Sequence, residues 1–398
     1  MDQNPIMADW ITSCSITTGV SRIADFDSWA KNRHLGAQVW SEGVGWLSIA
    51  YTPEDGKRSS ASVAYMHPIM DGRRHNLHLM LETWVDRVVF KGERAVGVNC
   101  LSRDNTRRTI YARHEVILAA GAVDSPRLLL LSGVGPKTQL VDLGISVVRD
   151  LPGVGENLQD HPESIIMWET DELPKNTVME SDAALFIKRD KDSSDPRPDL
   201  MFHIYSVPFA DNIERLGYPR PKHAICMTPN NPRPKSRGRL YLVSADPTVK
   251  PAIDFRYFTD PEDYDAKCLV DGIKVAREIA KTAPFSDWLK NETAPGPAVT
   301  SDEDLNEYAR RASHTVYHPP NLDEAGTCKM GAFTDPTAVV DPLLRVRGLQ
   351  GLRVVDASVF PLMVTANPMI TVLMISERAS DLLKADYYRN TSALAVRL

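Results

Sequence analysis

No window of 18 consecutive apolar residues occurs in this 398-residue chain, which excludes a transmembrane helix on length. The opening Met1-Asp2-Gln3-Asn4-Pro5 has neither the basic nor the apolar stretch of a secretory leader. Cysteine is scarce and odd in number: Cys14, Cys100, Cys226, Cys268 and Cys328, with no C-x-x-C pair. That argues against a disulfide framework and a zinc site, and for a reducing, cytoplasmic setting. The last four residues, Ala395-Val396-Arg397-Leu398, are only a distant match to a peroxisomal address. A positive excess is missing as well, since 46 Lys+Arg face 52 Asp+Glu for a net charge of −6. Nucleic acid and anionic membrane therefore have no electrostatic claim, and a neutral or cationic substrate is mildly favoured. The glycine fingerprint G-x-G-x-x-G is absent. The three G-x-G triplets, at Gly43, Gly133 and Gly153, carry Ser48, Thr138 and Leu158 where the third glycine belongs.

What is present is the balance of a globular protein, with 43% hydrophobic and 25% charged residues. The length suits two domains or one large one. The first 60 residues are irregular in pattern. They hold Trp10, Trp29, Trp40 and Trp46 of the seven tryptophans, side chains that need an apolar wall. Residues 58–65 read as a short capped helix ending before Pro68. Strands are expected at 78–81, 85–90, 95–100 and 108–111. The apolar run 116–120 suggests a strand buried on both faces. Gly121 then turns the chain, and Ser125-Pro126 look like the N-cap and first residue of a helix filled by Leu128 to Leu131. Further helices are expected at 260–281 and 302–312, and a buried one at 371–383, with a strand at 352–355. Charge and Asp-Ser-Ser-Asp-Pro make 182–199 the expected mobile loop.

The stretch Gly121-Ala-Val-Asp-Ser-Pro-Arg-Leu-Leu-Leu-Leu-Ser-Gly-Val-Gly135 resembles a signature of the glucose–methanol–choline (GMC) oxidoreductases at every constrained position. Three more blocks follow in the family's order. They are Pro152 to Pro162, then Tyr317-His318-Pro319 with Gly326-Thr327-Cys328-Lys329-Met330-Gly331, then Leu352 to Ser358 with Asn367-Pro368-Met369-Ile370-Thr371. Asp160-His161-Pro162-Glu163, Arg197 to His203 and Ser206-Val207-Pro208-Phe209 are similar to segments of the family's choline-oxidising members.

That resemblance implies an α/β and α+β GMC flavoprotein. An FAD-binding three-layer β-β-α domain, here incomplete, is joined to a substrate domain built on an antiparallel sheet. The implied divisions are 1–74 as part of both domains, 75–159 as FAD domain, 160–334 as substrate domain and 335–398 as the return to the FAD domain. The implied reaction takes choline to betaine aldehyde and glycine betaine, with oxygen as acceptor. Another primary alcohol, or an inactive fragment, are the alternatives, and a homodimer is the expected assembly.

The chemistry needs a group to manage the hydroxyl proton, and histidine suits it. By resemblance His318 takes this role with Asn367 beside it, and His203 bonds the alcohol oxygen. A quaternary ammonium donates no hydrogen bond, so its recognition falls to aromatic faces and a carboxylate. Glu163, Phe209 and Tyr317 resemble those groups, although the tryptophan pair of bacterial relatives is missing from 177–186. For FAD, Val85 resembles the adenine contact, Asp356 and Ala357 lie by the pyrophosphate and ribityl chain, and Asn367, Pro368 and Thr371 lie by the flavin ring.

Two departures bear on activity. The chain is expected to begin inside the family's sequence, without its phosphate fingerprint or the histidine that carries flavin covalently, so weak FAD binding follows. Residues Pro320-Asn321-Leu322-Asp323-Glu324 also intervene beside His318, where small displacements matter.

Overall fold

The computed structural model describes residues 4–23, 42–47, 50–52, 56–70, 74–174, 183–315 and 324–389, with backbone alone for 390–395. The chain forms two compact units that interleave in sequence. One comprises Met1–Met80, Pro162–Pro232 and Asp263–His314, and the other Leu81–His161, Arg233–Glu262 and Thr315–Leu398.

The first unit is built on a sheet that, among the described residues, has nine strands. Its path runs Arg22–Ile23, Gly43–Trp46, Ala183–Ile187, Leu200–Tyr205, Ala224–Asn230, Pro162–Glu163 and His314–Thr315. Ile166–Glu169 also pairs with Ala224–Asn230, and Glu292–Ala294 pairs with Ile166–Glu169. The central pairings are antiparallel, as expected for the substrate domain. Strand Ala183–Ile187 is buried at all five positions, which corrects the expected 182–199 loop. Its Ala-Ala-Leu-Phe-Ile core outweighs the flanking charges, leaving a charged loop only after Ile187. Helix Tyr264–Ala280 is narrower than the 260–281 expectation, whereas Asp302–Ala312 falls where expected. A Cβ on Gly272 would lie 2.4 Å from Pro229 Cβ, so this glycine sets how closely the longer helix rests on the sheet.

Helix Pro5–Thr18 gives order to part of the stretch that reads as irregular. Asn4 accepts from the Ile6 N–H at 3.1 Å as N-cap, and Pro5 sits in the first turn. Trp10 is fully buried and its indole N–H donates to Met227 Sδ at 3.2 Å. Trp29 and Trp40 lie outside the described residues. The expected 58–65 helix is a π-turn, Ser62–Met66, that continues through Pro68 as a 3-10 turn, His67–Ile69. Proline is tolerated there because it occupies the start of the new turn.

The second unit starts at strand Thr83–Lys91, paired with Arg94–Ser102 and then Arg107–Tyr111. Residues 78–81 form no strand and lie exposed, which corrects that expectation. A parallel pair joins Val116–Leu118 to Leu352–Val354. The first of these is shorter than expected and is not buried on both faces, since Ile117 is 43% exposed. A core of Leu128 to Leu131, Val134, Val339, Val340, Val354 and Val359 packs between these strands and helix Gly121–Leu131. The final helix, Met369–Ala395, is longer than the expected 371–383. It is also mostly exposed, with Ala379 its one core member among the described side chains. All five cysteines are unpaired and buried. No described helix is long and apolar enough to cross a membrane.

Candidate active site

In the first unit the sheet register assembles a polar cluster. His203 faces Thr228 and Tyr205 faces Cys226 across adjacent antiparallel strands. Cross-strand partners and residues two apart share a face, so these four side chains point the same way. Glu163 follows on the other side of the 224–230 strand, opposite Asn230. After Tyr205 the chain leaves the sheet, and Cys226 holds it near. The Phe209 N–H donates to Cys226 Sγ at 3.3 Å, while that thiol donates to the Val207 carbonyl at 3.3 Å. The tether folds Phe209 back onto Tyr205, with ring centroids 5.3 Å apart and nearly parallel. Phe209 in turn lies 5.6 Å from the ring of His314.

Glu163 is fully buried, and the Nε2 of His314 stands 3.0 Å from its Oε1. Burial pushes the Glu163 carboxyl above the ordinary carboxylate range, while His314 and the Thr228 hydroxyl pull it back. Burial likewise pushes the Cys226 thiol up to about 12, with the Glu163 charge adding to the effect, so the sulfur is a neutral thiol. His203 is 3% exposed and its ring lies 6.2 Å from Tyr205. The structure thus brings together Glu163, His203 and Phe209 of the sequence-predicted residues. Sequence reasoning missed Tyr205, Cys226, Thr228 and His314. The signal for the strand residues was their period-two placement beside His203; His314 offered only its place two residues before Val316-Tyr317-His318.

Tyr317, His318 and Pro320 to Asp323 lie outside the described residues. In the second unit both flanks of that stretch are fastened to one segment. Thr315 donates to Asp160 Oδ1 at 3.0 Å, and Tyr257 donates to the other carboxylate oxygen. Burial first, and then the charges of Asp160 and Glu324, push the Tyr257 phenol well above its usual range. On the far side, Ala325 exchanges backbone hydrogen bonds of 2.9 and 3.0 Å with Gln159. His161 Nε2 sits 3.0 Å from the Val364 carbonyl.

Helix Gly121–Leu131 begins five residues earlier than Ser125-Pro126 suggested, with Gly121 at φ +81°, a conformation that glycine adopts freely. Pro126 therefore lies inside the helix and cannot donate to Ala122. The Thr327 hydroxyl fills that gap, donating to the Ala122 carbonyl at 2.6 Å. Ser125 serves Asp356 rather than capping. The Asp356 carboxylate accepts from Gly121 N–H at 3.0 Å, Ser125 Oγ at 2.5 Å, Ser358 N–H at 2.9 Å and Ser358 Oγ at 2.5 Å.

Among the predicted cofactor residues, Val85 lines a groove of about 530 Å³ in the second unit. Trp84, Ala119, Ala120, Asp124 and Arg127 line it too, with the Arg127 guanidinium 5.0 Å over the Trp84 ring. An apolar slot with a stacking ring suits the adenine end of a dinucleotide. Ala357 is half-buried. Asn367, Pro368 and Thr371 cluster at the start of helix Met369–Ala395, whose first turn carries no acidic residue. That positive helix end, beside the exposed side chains of Met369 and Ile370, suits a planar ring with electron-rich oxygens.

The chain is similar in sequence and in fold to known proteins. The description "GMC oxidoreductase" matches residues 20–163 and again 234–376. Choline oxidase of Arthrobacter globiformis is 44% identical over 83% of this chain and 60% of its own length. Alcohol dehydrogenase [acceptor] of Pseudomonas putida is 37% identical over 86% of this chain and 63% of its own. The chain therefore spans about 60% of the length of these curated relatives. Among solved structures, a pyridoxine 4-oxidase superposes with a TM-score of 0.82 at 24% identity, covering 95% of this chain and 69% of its own. The chain belongs to the GMC oxidoreductase family, whose cofactor is FAD.

Proposed function

We propose that the protein to which this chain belongs is an FAD-dependent oxidoreductase acting on the CH–OH group of choline or a close quaternary ammonium alcohol. The observation that carries this reading is Glu163, a fully buried carboxylate on the same side of the unit as the stacked rings of Tyr205 and Phe209. A carboxylate is costly to bury without a charged partner, and aromatic faces with one carboxylate are what an ammonium lacking N–H donors needs. The 44% identity to a choline oxidase supports the same substrate class.

The proposed division of labour carries over the roles that the family resemblance implies. Glu163, Tyr205 and Phe209, with Tyr317, hold the cationic head. His203 hydrogen-bonds to the alcohol oxygen. His318 takes and holds the hydroxyl proton at its imidazole, with Asn367 as a second hydrogen-bonding group to the same oxygen. Val85 in its groove and Asn367, Pro368 and Thr371 at the helix start would hold FAD, with Asp356 capping the turn Ala357–Val359. Held there, FAD would supply the acceptor for the hydride of the substrate carbon, with oxygen as the final electron acceptor. The product is betaine aldehyde, whose hydrate is a second alcohol substrate leading to glycine betaine. A homodimer is the assembly proposed.

The test is anaerobic addition of choline to the flavin-loaded protein, read as bleaching of the flavin absorption. Bleaching by choline, and not by an equal concentration of an uncharged primary alcohol, supports this reading. The similarity to an alcohol dehydrogenase favours a second reading, oxidation of another primary alcohol. Bleaching by the uncharged alcohol alone would select it.

A further inference from the structure

The carboxylate of Glu163 is shared with His314, and the two ring nitrogens of that histidine each face an oxygen. Nε2 is 3.0 Å from Glu163 Oε1, and Nδ1 is 3.4 Å from the carbonyl of Ala312. A protonated imidazole is a cation with a donor on each ring nitrogen, so His314 in that form is a counter-ion within reach of the Glu163 carboxylate. A buried Glu163⁻–His314⁺ pair is electrically neutral, and burial of the pair is less costly than burial of either charge alone.

We infer that Glu163 and His314 form a proton–cation exchange pair, in which an alkylammonium enters the site as His314 releases one proton to solvent. The inference rests on the reading of Glu163 as the carboxylate that meets a cationic head. With His314 protonated, Glu163 is already neutralised and the arriving ammonium would meet an imidazolium beside its counter-ion. With His314 neutral, the pair carries one negative charge and the ammonium takes the place of the lost proton. Total charge in the site stays at zero before and after binding, which a buried, low-dielectric cluster requires.

The other groups around His314 do not take over this role. The Phe209 ring, 5.6 Å away, is uncharged. The Cys226 thiol and the Thr228 hydroxyl act on Glu163 as neutral groups. His203 and Tyr205, both on the neighbouring strand, are the other titratable side chains of this sheet face among the described residues. On the element that leads into His314, Arg310 pairs with Asp263, and Arg311 lies 3.2 Å from Glu307. Those cations already have their own carboxylates.

The exchange is measured by titration calorimetry of choline into the purified chain with FAD in excess, in two buffers of different ionisation enthalpy, between about pH 5 and 8 where imidazoles change charge. About one proton per choline is expected to be released at the acid end and none at the alkaline end. The Kd for choline should fall about tenfold per pH unit across the transition. The isostere with a tert-butyl group in place of trimethylammonium should bind without proton release, and His314→Asn should bind choline with no pH dependence. Choline binding by the unsubstituted chain without proton release would overturn the exchange pair and leave the choline reading standing. Failure of choline to bind at every pH would overturn both. Because the proton count is read on the unsubstituted chain, the result does not depend on the variant folding.

Discussion

Asp356 and Ser125, 231 positions apart in sequence, are joined by a hydroxyl–carboxylate hydrogen bond of 2.5 Å. The bond ties the two parallel strands of the second unit together at the point where both end and the chain turns. Through Gly121 N–H the same carboxylate fixes the start of the following helix, and through Ser358 it fixes its own turn. Asp356 is 5% exposed, so all four of its donors depend on it.

Asp356→Ala is expected to strand those four donors at once. Each buried unsatisfied polar group costs about 1–3 kcal/mol. A loss on the order of 3 kcal/mol or more should appear as a large drop in the urea midpoint of the second unit's unfolding. A change below about 1 kcal/mol would show that the turn has another support.

Thr327→Val keeps shape and removes one hydroxyl, the donor that stands in for the N–H missing from Pro126. The Ala122 carbonyl would be left unpaired in a buried site, for an expected cost of about 1–3 kcal/mol. Pairing the change with Pro126→Ala, which restores the helical N–H, should recover part of that loss. A double variant no better than the single one would refute the stand-in role.

Glu163→Gln should alter the pH dependence of stability. Burial raises the Glu163 carboxyl, so the native protein holds this proton more tightly than the unfolded chain does. The associated stability is full below the ordinary glutamate value of about 4.3 and is lost as pH rises through the raised value. Unsubstituted protein should therefore lose ground to the glutamine variant on passing from pH about 4 toward neutrality, measured as the difference in Tm. Equal Tm differences at all pH values would show that His314 fully compensates the burial.

The purified 398-residue polypeptide is expected to retain FAD weakly. Val85, Asn367, Pro368 and Thr371 are proposed to contact the two ends of the cofactor, but the sequence contains no G-x-G-x-x-G turn for its pyrophosphate. Gel filtration followed by an absorbance ratio reads the outcome. Stoichiometric flavin after the column would show that other groups of this chain carry the phosphates.

The family blocks were legible because they are runs of adjacent residues with local meaning. Gly121 to Gly135 and Leu352 to Thr371 carry turn-forming residues and the carboxylates Asp124 and Asp356 in runs that resemble the family's signatures, and that resemblance is what implies a cofactor. Helix Asp302–Ala312 was legible from its Ser301 cap and acidic first turn. Helix Pro5–Thr18 had the same kind of signal in Asn4-Pro5, overshadowed by the tryptophans around it. Strand Ala183–Ile187 was hidden by its charged neighbours, since what selects it is burial against both adjoining strands.

Chemistry was therefore determined by the sequence, and its assembly by the tertiary structure. Residue type and spacing identify the family and its cofactor, and by resemblance imply a carboxylate and histidines for its reaction, because those are properties of short segments. Only the folded sheet pairs His203 with Thr228, returns Phe209 over Tyr205 through Cys226, and sets His314 against Glu163 from 151 positions away. The reason is physical: hydrogen-bond register and burial act between segments distant in the chain, and a buried charge acquires its partner only when those segments meet.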